Sequence, residues 1–180
     1  MKKIFLTALS AAAFITFTGC QQAPNSEFEA ARTALQRADS VEADVYLADV
    51  YSAALDSLNA AQIEIETQNA ASSFSREYSH ARELLAFSFQ TAQTAEAGVD
   101  AAREEMRAEA DSLISVVQQA IATSPVIQTE DGAPSVVTLL NDAVRARDEG
   151  DYKTARDLSQ AAADQIASSP DPAADAAPRS

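Results

Sequence analysis

Residues 74–122 read FSREYSHARELLAFSFQTAQTAEAGVDAAREEMRAEADSLISVVQQAIA, and this stretch decides the fold. Counting every seventh residue from Phe74 and from Tyr78 selects fourteen positions, of which twelve are apolar. A heptad pattern sustained over this length predicts one long α-helix whose apolar seam packs against neighbouring helices, as in a left-handed coiled coil. We expect a rod from Phe74 to Ala122, about 70 Å long. The seam positions are Phe74, Ala81, Ser88, Ala95, Ala102, Glu109 and Val116, together with Tyr78, Leu85, Ala92, Val99, Met106, Leu113 and Ala120.

Small side chains occupy one side of this seam. The small residues at intervals of seven allow a partner helix to approach to the near end of the ~8–10 Å interaxial range. They are Ala81, Ser88, Ala95 and Ala102. Glu109 is the charged exception, and we interpret it as a residue at the rim of the seam or one that sets the register. Gly98 falls off the seam and costs roughly 1 kcal/mol against alanine, which a helix of this length can absorb.

The segment before the rod predicts another long helix. Apolar residues recur at three- and four-residue steps from Phe28 to Ile65, which indicates an amphipathic helix over about Ser26 to Thr67. Ser26 and Glu29 have the spacing of a capping box at its start. Residues 69–73, Asn-Ala-Ala-Ser-Ser, predict the loop that separates this helix from the rod.

Two shorter helices are predicted after the rod. Ser124-Pro125 ends the rod, and residues 126–133 form a loop. A third helix begins near Pro134, directs Val137, Leu140 and Val144 inward, and stops at Gly150. Asp151 caps a fourth helix, whose predicted apolar stripe consists of Tyr152, Ala155, Leu158, Ala162 and Ile166.

An internal repeat links the two halves of the chain. Residues 77–84, Glu-Tyr-Ser-His-Ala-Arg-Glu-Leu, match residues 151–158, Asp-Tyr-Lys-Thr-Ala-Arg-Asp-Leu, at a constant offset of 74. Upstream, residues 58–61 match residues 140–143 at an offset of 82, so the first loop holds eight additional residues. We expect two helical hairpins of one design, in which a tyrosine packs at the turn and Ala81 or Ala155 lets the helices touch.

Composition agrees with an all-α fold. Alanine supplies 36 of the residues from Cys20 to Ser180, tryptophan is absent, and Gly and Pro are confined to a few places. The predicted fold is therefore an elongated antiparallel helical bundle with coiled-coil-like long helices and two related hairpins. We assign the bundle to residues 26–168 and a disordered tail to residues 169–180.

The N-terminus has the pattern of an export signal. Lys2 and Lys3 precede an uncharged apolar stretch, and Thr18-Gly19 supply small residues directly before Cys20, the only cysteine. This segment resembles a bacterial lipoprotein signal. The resemblance implies removal of residues 1–19, diacylglycerol on the Cys20 sulfur, acylation of the new N-terminus, and a short lipidated tether over residues 20–25. The apolar stretch is shorter than the ~20 residues that a spanning helix needs, whereas two or three acyl chains anchor a protein stably.

Charge and local sequence bear on location and partners. Without Lys2 and Lys3, 11 basic residues remain against 27 acidic ones, and they are interleaved with acids, so nucleic acid is not an expected partner. Gln21 and Gln22 follow the cysteine with no aspartate at the first of these positions. In a two-membrane cell, we therefore expect the periplasmic face of the outer membrane, with the membrane reached through the lipid on Cys20.

Residues able to carry chemistry are few. His80 is the only histidine, and Glu77 precedes it at a spacing used in di-iron bundles, but such a site needs a second motif and further glutamates. Acidic neighbours such as Glu104 and Glu105 point apart on a helix and indicate a solvated face. The sequence predicts no enzyme activity, no metal, no cofactor and no catalytic residue.

Two further resemblances concern the hairpins. Residues 143–163, with Gly150-Asp151-Tyr152 at the turn, are similar to the helix turn of a tetratricopeptide repeat. The chain from Cys20 to about Ala167 more closely resembles a family of alanine-rich bacterial lipoproteins, in which helical hairpins end in an acid-Tyr-x-x-Ala-Arg segment. This resemblance implies a lipid-anchored protein of the cell envelope.

Two functions remain open at the level of sequence. The first is a non-enzymatic scaffold, spacer or adaptor with an envelope protein as partner, and self-association stays open. The alternative is a periplasmic binding or holdase module that holds a peptide or apolar ligand between hairpins. An exposed groove formed by Phe74, Tyr78, Phe87 and Phe89 would favour the alternative, whereas buried aromatic side chains would favour the scaffold.

Overall fold

A computed structural model describes residues 22–123 and 133–168, with side chains from Val136 onward in the second range. Within these residues the chain forms six helices and no strand, and the helices pack on one another, so the all-α bundle is confirmed. The helices are α1 (Asn25–Ser40), α2 (Ala43–Tyr46), α3 (Ala48–Ala70), α4 (Ser79–Thr123), α5 (Ala133–Glu149) and α6 (Tyr152–Ser168).

The predicted rod is α4, a continuous helix of 45 residues. At the rise of an α-helix it is about 68 Å long, and Gly98 does not interrupt it. Its predicted start was wrong, because Phe74 lies in the preceding loop and is 97% exposed. The Glu77 carboxylate accepts a hydrogen bond from the Ser79 backbone N–H at 3.0 Å, which satisfies a free donor in the first turn of α4.

The long helix predicted over Ser26–Thr67 was also wrong, because the chain divides there into α1, α2 and α3. Glu42 takes a left-handed conformation, with φ of 67°, and Leu47 is non-helical. These two breaks fold the chain back on itself, so that α1 and α3 both cover α4. The predicted capping box does not form, since α1 begins at Asn25 and the Ser26 hydroxyl donates to the Glu27 carboxylate.

The first half of α4 forms an N-terminal bundle with α1 and α3. Ion pairs from Arg82 to Glu27 and from Arg37 to Glu96 show that α1 runs parallel to α4. The buried Ser88 hydroxyl donates to the Ala54 carbonyl at 2.8 Å, and it fixes the antiparallel α3 at a close approach. The core of this bundle consists of Ala31, Ala34, Leu35, Ala54, Leu58, Ala61, Ile65, Tyr78, Ala81, Leu85 and Ala92.

The second half of α4 forms a C-terminal bundle with α5 and α6. Arg147 pairs with Asp111 and Val136 packs with Val117, so α5 runs antiparallel to α4. Arg156 pairs with Glu109 and Ile166 packs in the cluster of Ile121, so α6 runs parallel to α4. The inward face of α5 was predicted one residue out of phase, because Val136 is buried and Val137 is exposed. In α6 the fully buried residues are Ala155, Ser159 and Ala162, while Tyr152, Leu158 and Ile166 are partly buried.

The buried face of α4 shifts by one residue along its length. It follows the predicted heptad as far as Val99, but beyond Met106 the buried residues are Ala110, Ile114 and Val117. A straight α-helix drifts about 20° per heptad against a strict seven-residue repeat, and over five heptads this amounts to about 100°, the angle of one residue. The shift explains why Glu109 and Val116 are exposed.

The predicted repeat is present as two hairpins, α3–α4 and α5–α6. Ala81 and Ala155 are both fully buried, as expected. The α5–α6 turn is the tighter one. The N–H groups of Gly150 and Asp151 donate to the carbonyls of Arg147 and Ala146, with Gly150 at a φ of 87°, and the Asp151 carboxylate caps Thr154.

Candidate functional site

Two helix turns meet tip to tip beside the middle of α4. One is the α1–α3 turn, which contains α2, and the other is the α5–α6 turn. The Tyr46 hydroxyl of the first donates to the Gly150 carbonyl of the second at 3.4 Å. We call this meeting point the junction, because it is where the N-terminal and C-terminal bundles touch outside α4.

Arginines from α4 cover both tyrosines of the junction. The Arg103 guanidinium lies 4.9 Å from the centre of the Tyr46 ring, and the Arg107 guanidinium lies 5.9 Å from that of Tyr152. These distances are within the range of cation–π attraction. Each turn is therefore held to the same stretch of α4 by one tyrosine and one arginine, one helical turn apart.

Arg103 is the more heavily engaged of the two. Its Nη2 lies 2.7 Å from the Glu42 carboxylate, and Glu42 is the left-handed residue that breaks α1 from α2. The pKa of Arg103 is raised, chiefly through its hydrogen bond to the Tyr46 side chain and then through Glu42. Arg103 is consequently a positioning residue of the fold, with its charge already paired.

Open clefts flank the junction. One, of about 590 Å³, is lined by Tyr46, Tyr152 and the acids Glu42, Glu149 and Asp151. Another, of about 760 Å³, lies between α4 and α6, where Glu109 and Asp157 pair with Arg156. In the part of the chain that the structure describes, no group of three or more His, Cys, Asp or Glu side chains is arranged to hold a metal ion.

The histidine predicted to lie on a solvated surface does so. The His80 side chain is 64% exposed, and its Nδ1 lies 3.9 Å from the Glu83 carboxylate. Glu77 instead turns toward the backbone of Ser79. The Glu77 and His80 pair that resembled half of a di-iron motif is therefore engaged in local contacts at the start of α4.

The four aromatic residues that were to distinguish the two functions do not form one groove. Tyr78 is fully buried, and its hydroxyl donates to the Asn69 side chain at 2.6 Å. Phe89 is partly buried against the N-terminal core. Phe87 is 53% exposed on α4, and Phe74 is exposed in the loop before α4.

Cys20, the predicted lipidation site, lies outside the described residues, but the chain next to it is fixed at one end of the molecule. Arg82, one turn into α4, donates to the Gln22 carbonyl at 3.0 Å. Pro24 is fully buried and Ala23 packs against the N-terminal core, so packing begins within the predicted tether of residues 20–25. At the other end of α4, Ile166 of α6 packs in the cluster that contains Ile121.

Sequence reasoning missed the junction. Tyr46 falls within the single helix predicted over Ser26–Thr67, where no turn was expected, and Arg103 was one of several basic residues interleaved with acids. The signal that remained unused was the pair of arginines at positions 103 and 107 in a strongly acidic chain, since their i, i+4 spacing places both on one face of α4.

Comparisons with protein-family models, with curated protein sequences and with solved structures find no match to this chain. Over residues 22–123 and 133–168, no helix has the combination of length and apolar character that crossing a membrane requires.

Proposed function

We propose that the protein is a lipid-anchored, non-enzymatic spacer and adaptor of the cell envelope. The observation that carries this proposal is the polarity of the molecule. Gln22, two residues after the predicted lipidation site Cys20, is held at the N-terminal end of α4 by Arg82. The end of α6 packs near Ile121 at the opposite end of the same helix, about 60 Å along α4 from Arg82.

The construction of the rod supports a mechanical role. A single helix spans both bundles, and the Tyr46–Gly150 and Arg103–Glu42 contacts brace its middle. Every residue of the junction with a positive charge is paired with a carboxylate or a tyrosine ring, which favours rigidity over reactivity. In this proposal an envelope protein binds at the end of the rod remote from the lipid.

The anchor is tested by Cys20→Ser in the full chain, with metabolic fatty-acid labelling and membrane fractionation as the measurements. The variant should lose the label and leave the membrane fraction. A variant that still pellets with membranes contradicts the lipid anchor. Small-angle scattering of the chain from Gln21 onward should give an elongated profile, and a compact profile contradicts the spacer.

The partner is tested by site-specific photo-cross-linking in intact membranes. A photoreactive residue at Val116, which is 55% exposed near the remote end, should capture a protein. The same residue at Phe87, 53% exposed in the N-terminal bundle, is the matched control. Equal capture at both positions would contradict a partner at the remote end.

A binding or holdase module is the second candidate, and one observation favours it. Phe89 lines a shallow groove of about 540 Å³ between α1 and α4, together with Glu29, Thr33 and Arg37. Such a module should suppress aggregation of an unfolded client protein, and Phe89→Ser should weaken that effect. If the parent protein does not suppress aggregation of the client, the binding or holdase function is contradicted and the spacer is the remaining candidate.

A further inference from the structure

We infer that the α3–α4 loop, with Phe74 at its tip, is a second contact with the membrane surface, beside the lipid. This inference rests on the proposed lipid anchor at Cys20. It concerns residues 71–78, which are all described in the structure, and it names a lipid bilayer as the partner.

Chain geometry brings the loop to the anchor. Gln22 is bonded to Arg82, and Arg82 is only one helical turn from the end of the loop at Tyr78. Cys20 precedes Gln22 by two residues, which span about 7 Å even when fully extended. A lipid on Cys20 therefore keeps this end of the rod at the bilayer.

The loop is built to present Phe74. The Ser75 N–H donates to the Ser72 carbonyl at 2.9 Å, which closes a turn with Phe74 at its third position. Arg76 donates to the carbonyls of Asn69 and Ala71 and ties the turn to the end of α3. A single exposed apolar residue needs no explanation in general. Phe74 differs because it is 97% exposed at the tip of a turn whose backbone is fixed by these hydrogen bonds, so its side chain is held out in solvent.

The second hairpin shows that closing this fold does not require such a loop. The α5–α6 hairpin has the same design and turns with Gly150 and Asp151 alone. The additional residues of the α3–α4 loop lie at the outer end of the molecule, whereas the short turn lies inside it, at the junction. The extra length is therefore associated with the end that carries the anchor.

The charge of the loop also fits a bilayer. Residues 71–78 contain one basic and one acidic side chain, Arg76 and Glu77, so the loop carries no net charge in a chain with 27 acidic residues. Aromatic and apolar side chains insert between headgroups, and a turn without net charge avoids the repulsion that an acidic surface meets at anionic lipids. The rod is thereby held by two points at one end.

The chain is suited to a direct test because it contains no tryptophan and one cysteine. Phe74→Trp places a single fluorescent reporter at the tip, and Phe87→Trp places one on the flank of α4 as the matched control. The chain from Cys20 to Ser180 is coupled through its thiol to maleimide lipid in vesicles of phosphatidylethanolamine and phosphatidylglycerol with brominated acyl chains. The emission of the Phe74→Trp variant should shift to shorter wavelength and fall by about half, as expected for an interfacial aromatic group, while that of the Phe87→Trp variant does neither.

Three outcomes overturn the inference. If the emission of the Phe74→Trp variant is the same on vesicles as in water, the loop stays off the bilayer. If the emission of both the Phe74→Trp and the Phe87→Trp variants is quenched, the rod lies flat on the bilayer surface. A blue shift that depends on protein concentration without vesicles assigns Phe74 to a second copy of the chain. Ser73→Trp, one residue away on the same exposed turn, serves as a second reporter of the same contact.

The anchor and the loop fail separately in this design. Mass spectrometry of Cys20 in protein isolated from bacterial membranes decides whether the native chain is acylated, and thus decides the proposed anchor. The maleimide link holds Cys20 at the bilayer in either case, so the emission of the Phe74→Trp variant reports on the loop alone.

Discussion

The α3–α4 and α5–α6 hairpins share one design but differ in how much they bury. Tyr78 in the first is 1% exposed and hydrogen-bonded to Asn69, within a core of eleven buried residues. Tyr152, its counterpart, is only partly buried beneath Arg107, and among the described residues of the C-terminal bundle there are two clusters of three buried residues each. The sequence motif therefore specifies the hairpin, while the neighbouring helices decide how stable it is.

This difference predicts unequal stability along the rod. Local opening is easiest where few apolar contacts are buried, so the C-terminal bundle should exchange its amide hydrogens faster than the N-terminal bundle. Most of the variants that follow change equivalent positions in the two hairpins, and the stabilities of the paired variants are compared.

The tyrosines should give the largest difference. Tyr78→Ala should destabilise the protein by about 3–5 kcal/mol, because it empties a fully buried site, whereas Tyr152→Ala should cost about 1–2 kcal/mol. Urea denaturation followed by circular dichroism measures both. Equal losses would show that the hairpins are equivalent in energy as well as in design.

The alanines should instead behave alike. Ala81→Leu and Ala155→Leu each overpack a fully buried contact between helices, and each should cost roughly 1–3 kcal/mol. The same denaturation experiment applies. A cost at only one of them would show that the close helix contact belongs to a single hairpin.

Substitution of two glycines compares a position in a strained turn, Gly150, with a position in a contact between helices, Gly98. Gly150→Ala should destabilise by about 1 kcal/mol, because the residue holds a φ of 87°. In Gly98→Ala the new Cβ would lie 2.9 Å from Leu47 Cδ1, the end of a flexible side chain. The cost of shifting Leu47 should offset the gain of about 1 kcal/mol in helix propensity, so the free energy of unfolding should change little. A large loss at Gly98 would show that Leu47 cannot move.

A surface ion pair should give a small, pH-dependent difference. The pKa of Asp157 is lowered, first by its hydrogen bond from Lys153 and also by Arg156, so ionised Asp157 stabilises the fold above its unfolded pKa. That stability is lost as the pH falls through the lowered pKa of the folded state. Because the side chain is 47% exposed, Asp157→Asn should cost about 0.3 kcal/mol at neutral pH and nothing in acid.

Glu83 occupies the equivalent position in the first hairpin and is the control for Asp157. Its carboxylate is 80% exposed and 3.9 Å from His80. Glu83→Gln should therefore leave thermal melting curves at neutral and acidic pH closer to the parent curves than Asp157→Asn does. A larger effect at Glu83 would reverse the comparison.

His80 should give the smallest effect of all. His80→Ala and Thr154→Ala change equivalent exposed positions, and each should alter stability by less than about 0.5 kcal/mol. If His80→Ala abolishes the function of the protein in cells while its melting temperature is unchanged, the spacer is contradicted and a functional site at His80 is indicated. Elemental analysis of the native protein for iron or zinc checks the same point.

The sequence predicted α4, the repeat and the turn at Gly150 because these depend on interactions between near neighbours. It did not predict the breaks at Glu42 and Leu47, since the helical periodicity of residues 26–67 is almost unbroken and the fold-back is stabilised by remote contacts, such as Glu42 with Arg103. The junction was missed for the same reason, because Tyr46 and Gly150 are 104 residues apart.

By itself, the sequence determined that this chain is helical, which faces of its helices are apolar, and that one hairpin design occurs twice. These properties follow from residue propensity and from periods of three to seven residues. Only the tertiary structure decided that α1 and α3 fold back along α4, that the buried face of α4 moves by one residue, and that Gln22 is bonded to Arg82, one helical turn from the α3–α4 loop. Each of these depends on which apolar faces meet in space, and a periodic, alanine-rich pattern permits several such pairings.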